Sequence, residues 1–157
     1  MDQPPTLQAL LDQEQELQLP AFDQSAALLL GRMLVDRATR DGLPVAIEIA
    51  RGGNPVFFCL MPGASPDNHA WVQRKRAVVE RFEHSSLYMK TLCDQQGRNL
   101  FERYALSPER FATSGGAFPI QVRGTGCVGV AAVSGLAAVD DHRIIVETLR
   151  EMLQPGA

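Results

Sequence analysis

Three stretches of the sequence carry side chains that could hold a ligand. Lys75 falls on the apolar face of a long predicted helix, where an ammonium can pair with a carboxylate. Gly115 and Gly116 open a predicted strand, which two glycines weaken unless something approaches the backbone closely. Asp141 and His142 stand where the last predicted helix begins, with His142 in its first turn, where an imidazole could donate a proton or bind iron. We predict that these stretches meet around one cleft.

The predicted ligand-binding residues are Trp71, Lys75, Ser86, Gly115, Gly116, Asp141 and His142. The same stretches also have structural interpretations. Lysines are seldom fully buried, so the favoured interpretation of Lys75 lays its stem along Trp71 with the ammonium in water. The two glycines fit a neighbouring backbone element as well as they fit a ligand. Taken alone, the Asp141–His142 segment is most simply a capping segment with a surface histidine. These residues identify no catalytic group.

Other polar residues indicate structure more than chemistry. Ser85 and Ser86 predict a local break in the long helix, or else a polar patch facing the same site as Lys75. His69 and His84 are predicted to be exposed, and three histidines without i, i+4 spacing predict no zinc site. Three cysteines without a C-x-x-C pair predict reduced thiols and no metal cluster.

The run GTGCVG, from Gly124 to Gly129, matches the letters of the dinucleotide fingerprint G-x-G-x-x-G. That fingerprint requires its last glycine to open a helix whose N-terminus holds the pyrophosphate. Here Gly129 is followed by VAAVSG, which is β-branched and extended. The run is therefore predicted to be a hairpin turn, with Gly129 inside the second strand where a neighbouring backbone comes close.

Length and composition predict one soluble, cytoplasmic domain over residues 1–157. Hydrophobic residues make up 45% and charged residues 21%, as in ordinary globular proteins. The net charge of −3 argues against nucleic acid and anionic membranes as partners. No apolar run approaches the roughly 20 residues that span a bilayer. The first residues lack the basic start and apolar centre of a signal peptide.

Hydrophobic periodicity and capping residues predict the first elements. Thr6 caps the first helix, and the second helix runs from Asp23 as its cap to Gly42 as its stop. Leu28 and Leu29 widen the apolar surface of this second helix, which predicts burial on more than one side. Two strands follow, PVAIEIA and PVFFCLM, and the RGGN between them predicts a hairpin.

The second half of the chain continues this alternation. A long helix starts at Ser65 and Pro66. A short helix capped by Ser107 precedes the strands AFPIQVR and CVGVAAVSG, and Asp140 or Asp141 caps the last helix. The order α-α-β-β-α-(α)-β-β-α predicts an α+β fold with an antiparallel sheet flanked by helices.

Four motifs of this sequence, W…RKR…V..F..SS, SGGAFPI, GTGCVGVAAVSGL and DDH, resemble the GlcG/HbpS-like group, also called haem-degrading-domain proteins. The resemblance covers about residues 6–153 and is most specific in the C-terminal stretch. It implies an α+β fold, homo-oligomers and, in some relatives, binding of haem or another tetrapyrrole. The family pattern falls on Trp71, Lys75, Phe82, Ser85, Ser86, Gly115, Gly116, Gly124, Gly126, Ser134, Gly135, Asp141 and His142.

Three functions follow as hypotheses. The first is a small-molecule-binding protein with haem as the leading ligand, His142 as candidate axial ligand and Lys75 or Arg123 near the propionates. The second is an oligomeric scaffold in which the glycines and the Ser85–Ser86 pair serve packing between subunits. The third is an enzyme on a small carboxylic acid, with Asp141 and His142 as acid–base pair and Lys75 binding the carboxylate. We favour the first.

Overall fold

The computed structural model describes residues 3–154. Within that range the chain forms six helices and four strands in the predicted order, and the predicted long helix divides into a third and a fourth helix. The elements are α1 (Leu7–Glu16), α2 (Gln24–Asp41), β1 (Ala46–Arg51), β2 (Asn54–Leu60), α3 (Pro66–Phe82), α4 (Ser86–Gln95), α5 (Leu100–Tyr104), β3 (Ala117–Val122), β4 (Gly126–Ser134) and α6 (Ala138–Leu153).

The four strands form one antiparallel sheet in the order β2-β1-β4-β3. Ala46 at the start of β1 lies opposite Ser134 at the end of β4, and Ala117 at the start of β3 lies opposite Ala132. The start of β1, the start of β3 and the end of β4 therefore share one end of the sheet. The predicted α+β class with an antiparallel sheet is confirmed.

Helices cover both faces of the sheet. Alternate residues along β1 explain this arrangement, because Ile47 and Ile49, with Val45 just before the strand, pack with α2 and α6 in the main core. On the other face, Ala46 packs with α3 in a second apolar cluster, and Glu48 of the same face accepts a hydrogen bond from Arg76 of α3 at 2.9 Å. The small residues on this second face let α3 approach closely. No helix within residues 3–154 is both long and apolar enough to cross a bilayer.

Most predicted helix boundaries are confirmed by their capping bonds. Thr6 accepts a hydrogen bond from the Ala9 amide at 3.1 Å, and Asp23 accepts one from the Ala26 amide at 2.8 Å. Gly42 ends α2 in the left-handed region. Ser65 forms a capping box at the start of α3, ahead of Pro66.

Three local predictions are wrong. The short helix α5 begins after Asn99, whose side chain accepts from two backbone amides, and Ser107 caps no helix. The last helix begins after Ala137, so Asp140 and Asp141 lie inside its first turn. The second helix is not buried on more than one side within the chain, because its Leu28 and Leu29 are exposed.

The glycine run forms the predicted hairpin between β3 and β4. Gly124 and Gly126 both have positive φ angles, of 76° and 104°, which favour glycine in the turn. Gly129 lies within β4, where a Cβ atom would collide with the carbonyl oxygen of Ala50 on β1. This is the close backbone approach that the sequence predicts, and no helix follows the run to hold a pyrophosphate.

Candidate functional site

A cleft of about 270 Å³ opens at the sheet end where β3 begins and β4 ends. We call it the Lys75–Asp141 cleft after its two charged lining residues. The middle of α3, the segment before β3, the end of β4 and the start of α6 surround it. The lining residues are Asn68, Trp71, Lys75, Ser114, Ser134, Gly135, Leu136 and Asp141.

Lys75 reaches from α3 across the end of the sheet to α6. Its Nζ donates to Oδ2 of Asp141 at 3.0 Å and to the carbonyl oxygen of Val133 at 3.1 Å. The residue is only 2% exposed. The prediction that the ammonium lies in water is therefore wrong, because the partner carboxylate lies within the same chain.

Asp141 holds the segment between β4 and α6 as well as the lysine. Its Oδ1 accepts from the Leu136 amide at 2.9 Å, and Oδ2 accepts from the Gly135 amide at 3.4 Å. Burial raises the pKa of the Asp141 carboxyl, and the Lys75 ammonium opposes that shift. Burial likewise lowers the pKa of Lys75, against the opposing effect of Asp141. Both shifts favour the uncharged forms of the pair.

The two glycines make room for this pair and for its neighbours. Gly116 has a φ of +131°, and a Cβ atom there would lie 2.7 Å from Nζ of Lys75 and 3.1 Å from Cβ of Asp141. A Cβ atom on Gly115 would lie 2.8 Å from the carbonyl oxygen of Ala138 at the start of α6. The close approach at the glycines is thus made by the chain's own groups.

Ser85 and Ser86 mark the predicted break between α3 and α4. Ser85 caps α4 by accepting from the Tyr88 amide at 3.1 Å. The hydroxyl of Ser86 accepts from the Ala117 amide at 3.0 Å, and this bond ties α4 to the first residue of β3. Ser86 therefore positions the strand that carries Gly116 next to the ion pair, and it does not line the cleft.

His142 lies apart from the Lys75–Asp141 cleft. Its Nε2 is 2.7 Å from Oε1 of Gln13 on α1, and its ring packs edge-on against Phe118. Its Nδ1 is buried without a hydrogen-bond partner. Burial lowers the pKa of His142 to about 4, with a smaller contribution from Arg143, so the ring is neutral at pH 7. The predicted surface position of this histidine is wrong, and so is its predicted place beside Lys75.

The cleft has no net charge when both partners of the ion pair are ionised or both are neutral. Its other lining residues are an aromatic ring, an amide, two hydroxyls, a glycine and a leucine. The guanidinium of Arg74 lies 4.2 Å from the ring centroid of Trp71, at the rim. Among residues 3–154, no group of three or more His, Cys, Asp or Glu side chains is placed to hold a metal ion.

Sequence reasoning missed five lining residues as parts of the predicted ligand site, namely Asn68, Ser114, Ser134, Gly135 and Leu136. It also missed that Asp141 is the partner of Lys75. One signal in the sequence was available. The chain has thirteen arginines and two lysines, and one of the two lysines falls on an apolar helix face.

Comparison with known proteins places the chain in a family. A UPF0303 protein of Streptomyces avermitilis is 44% identical over 150 residues, covering 96% of this chain and 92% of that relative. One of Rhizobium rhizogenes is 45% identical and covers 87% and 84% of the two chains. Among solved structures, the Ybr137w protein is 30% identical with a TM-score of 0.84, over 95% of this chain and 90% of that one.

More distant structures share the fold. A PduOC:heme complex has a TM-score of 0.68 at 20% identity, over 85% of this chain and 94% of that one. A double mutant of HbpS from Streptomyces reticuli has a TM-score of 0.67 at 20% identity, over 87% and 90%. The family model described as "Haem degrading protein HbpS-like" matches residues 22–150. The resemblance predicted from the motifs is confirmed, and the chain belongs to the HbpS-like family.

Proposed function

We propose that this protein binds a small molecule in the Lys75–Asp141 cleft. The observation that carries the proposal is a buried ammonium–carboxylate pair whose two residues line an open cleft. A buried ion pair is often no more stabilising than apolar residues of similar volume, so stability alone does not explain it. Buried titratable pairs that border a cleft are typical of binding and catalytic sites.

Size and charge narrow the ligand class. The cleft holds about 270 Å³, just below the roughly 300–1,000 Å³ of sites for drug-sized ligands. Asp141 already neutralises Lys75, so a carboxylate ligand would meet no uncompensated positive charge. Asn68, Ser114 and Ser134 offer hydrogen bonds instead. We infer an uncharged, polar molecule of metabolite size, and this replaces the carboxylate predicted as the partner of Lys75.

Haem is the ligand that the family name indicates, and in this arrangement His142 is not placed to ligate its iron. The candidate axial ligand His142 is 2% exposed, and its Nε2 is already within hydrogen-bond distance of Gln13. Arg123 follows the last residue of β3, at the opposite end of that strand from Gly116. Six strand residues span about 20 Å, so Arg123 lies far from the Lys75–Asp141 cleft. We therefore propose no haem ligation through His142.

The single tryptophan of the chain provides the assay, because Trp71 lines the cleft. Hydroxyacetone and propylene glycol are suitable uncharged probes, and propionate is the anionic counterpart. We expect saturable changes in Trp71 emission with the uncharged probes and a weaker response to propionate. Haemin titrated into wild-type protein and into His142→Ala should give the same absorption spectra. A Soret shift that disappears in His142→Ala would overturn the exclusion of haem ligation through His142.

Neighbouring residues offer a matched pair of variants. Ser114→Leu fills the Lys75–Asp141 cleft, whereas Thr113→Leu falls in a separate cavity beside Cys93 and Leu100. We expect Ser114→Leu to abolish the Trp71 response and Thr113→Leu to preserve it. Equal responses in both variants, or no saturable response in the wild type, would contradict binding at this cleft.

Association between copies of the chain stays a prediction. Among the residues from 3 to 154, four large apolar side chains are exposed, on α2 and on the edge strand β2. They are Leu28, Leu29, Phe58 and Leu60. Light scattering on the wild type and on Leu29→Lys is the check, with a larger particle mass expected for the wild type.

A further inference from the structure

The cleft contains one of only two lysines in a chain with thirteen arginines. Arginine stays protonated in proteins and matches a carboxylate with two parallel hydrogen bonds, so it suits a permanent ion pair. Lysine is the cation that loses its proton readily when it is buried. Its use at position 75, in a buried ion pair of the kind that arginine usually forms, indicates a need for a free amine.

We propose that Lys75 forms an imine with an aldehyde or ketone that binds in the Lys75–Asp141 cleft. This proposal rests on the proposed function and names the chemical class of the ligand. The amine of Lys75 is the nucleophile, and the Asp141 carboxylate carries the protons. The carbonyl compound is uncharged and polar, in agreement with the neutral lining of the cleft.

The geometry places the reacting groups together. Nζ of Lys75 lies 3.0 Å from the carboxylate that must accept its proton. Nζ has two described partners, Asp141 and the Val133 carbonyl, and an ammonium has three N–H donors. A Cβ atom at position 116 would lie 2.7 Å from Nζ and cover it. Because residue 116 is glycine, Nζ is not covered on that side. The nitrogen is held on two sides, and its residue borders the cleft.

The electrostatics support a proton transfer within the pair. Burial lowers the pKa of Lys75 and raises the pKa of Asp141, so both shifts reduce the cost of moving the proton from nitrogen to carboxylate. A neutral amine is a better nucleophile than an ammonium, so a lowered pKa favours nucleophilic attack by Lys75 over attack by a surface lysine.

The reaction balances without an external oxidant or reductant. Asp141 takes one proton from the ammonium, and the amine lone pair attacks the carbonyl carbon as the C=O π bond breaks. The carbonyl oxygen receives the proton back from Asp141, which gives a carbinolamine. The C–O bond then breaks, a second proton from the nitrogen reaches the oxygen through Asp141, and water leaves. The product is a protonated imine whose positive charge still pairs with Asp141.

Lys90 is an internal control for this chemistry. It lies on α4 and makes an ordinary surface ion pair with Asp94 at 2.9 Å, with 39% of its side chain exposed. Any aldehyde or ketone that labels amines according to exposure alone must label Lys90 in preference to the buried Lys75. A preference for Lys75 therefore reports on the site.

The test is reductive trapping of the full chain with hydroxyacetone and sodium cyanoborohydride, followed by peptide mass spectrometry. The reagent reduces an imine to a stable secondary amine on the lysine that formed it. We expect the peptide with Lys75 to be labelled about tenfold or more ahead of the peptide with Lys90. Saturation at increasing hydroxyacetone and loss of the label in Ser114→Leu should accompany it. Labelling of Lys90 and the N-terminal amine ahead of Lys75 would overturn the imine.

The assay uses wild-type protein, so it does not depend on the folding of a lysine variant. It also separates the two proposals. Propylene glycol lacks a carbonyl group, so its binding reports on the cleft alone. If propylene glycol and hydroxyacetone both change Trp71 emission and Lys75 stays unlabelled, the imine is wrong and the binding function stands. If neither probe gives a saturable change and Lys75 stays unlabelled, both proposals are wrong.

Discussion

Asp141 and His142 are consecutive residues of α6, and they occupy two different environments. Asp141 is 1% exposed and pairs with a cation at the edge of an open cleft, whereas His142 is 2% exposed and neutral, and lies against α1. Successive residues of an α-helix point about 100° apart, so neighbours in sequence face different elements. Burial alone therefore does not identify a site. The Asp141 side borders the cleft between α3 and the sheet, while the His142 side faces α1 and borders a separate cavity of about 260 Å³ with Gln13.

The largest loss of folding stability is expected for substitutions in the Lys75–Asp141 ion pair. Lys75→Met removes the cation and leaves a buried carboxylate without its partner, which should lower the free energy of unfolding by about 3–5 kcal/mol. Urea titration at pH 7 measures the change. The second substitution in Lys75→Met/Asp141→Asn removes the remaining charge and keeps an acceptor for the Leu136 amide, so it should recover more than half of the loss.

A matched surface variant sharpens that result. Lys90→Met breaks the exposed Lys90–Asp94 pair on α4 and should cost less than about 1 kcal/mol. A cost for Lys75→Met that is no greater than the cost for Lys90→Met would mean that the buried pair is not formed as described.

The next largest loss of stability is expected when Gly116, beside the ion pair, is substituted. Gly116→Ala places a Cβ atom at a φ of +131° and 2.7 Å from Nζ of Lys75, so we expect a loss of about 2–3 kcal/mol. Gly124→Ala meets a positive φ of +76° in open space and should cost about 1 kcal/mol. Thermal unfolding of the two variants compares strain with and without the contact. Equal losses would show that Gly116 serves backbone conformation only.

The contribution of His142 to folding stability depends on pH. The folded pKa of about 4 lies below the ordinary 6.5, so the unfolded state binds more protons between these values. The stability from this residue is fully present above pH 6.5 and is lost as the pH falls toward 4. Between pH 7 and pH 5 the loss should be about 2 kcal/mol.

The variant His142→Gln isolates this contribution, because glutamine can still bond Gln13 and does not titrate. The difference in urea midpoint between wild type and variant should shrink or change sign on going from pH 7 to pH 5. A difference that is the same at both pH values would show that His142 is not held in its neutral form. Comparing the two proteins at each pH cancels the opposite shift of Asp141.

The smallest loss of stability is expected for substitution of Arg74 at the rim of the cleft. Arg74→Ala removes the guanidinium that lies over the Trp71 ring and should cost about 0.5–1 kcal/mol. Because the ring then meets more water, its emission maximum should move to longer wavelength. Unchanged emission would indicate that the ring is not covered by Arg74 in solution.

Much of the fold could be predicted from the sequence because it depends on local chemistry. The caps at Thr6, Asp23 and Ser65, the stop at Gly42 and both hairpins are formed by residues a few positions apart. The alternation in β1 likewise follows from one strand packed between two layers. The start of α6 was misplaced because both aspartates are good caps, and Asp141 instead accepts from amides that precede the helix.

The candidate site was only partly predictable because its contacts are long-range. Trp71, Lys75 and Asp141 of the motifs line one cleft, but the ion pair joins residues 66 positions apart in the sequence. Its burial depends on how α3 and α6 meet at the sheet end. The orientation of His142 depends on α1, which packs from the far end of the chain. Neither arrangement leaves a periodic signal in the sequence.

Amide chemical-shift mapping of the isotope-labelled chain tests the central claim most directly. Titration with propylene glycol, and separately with hydroxyacetone, should give saturable shifts at the Gly135 and Leu136 amides and at the Trp71 indole N–H. The signals of Gln13 and His142 should stay in place. Saturable shifts centred on Gln13 and His142, or the absence of any saturable shift at Gly135 and Trp71, would contradict ligand binding at the Lys75–Asp141 cleft.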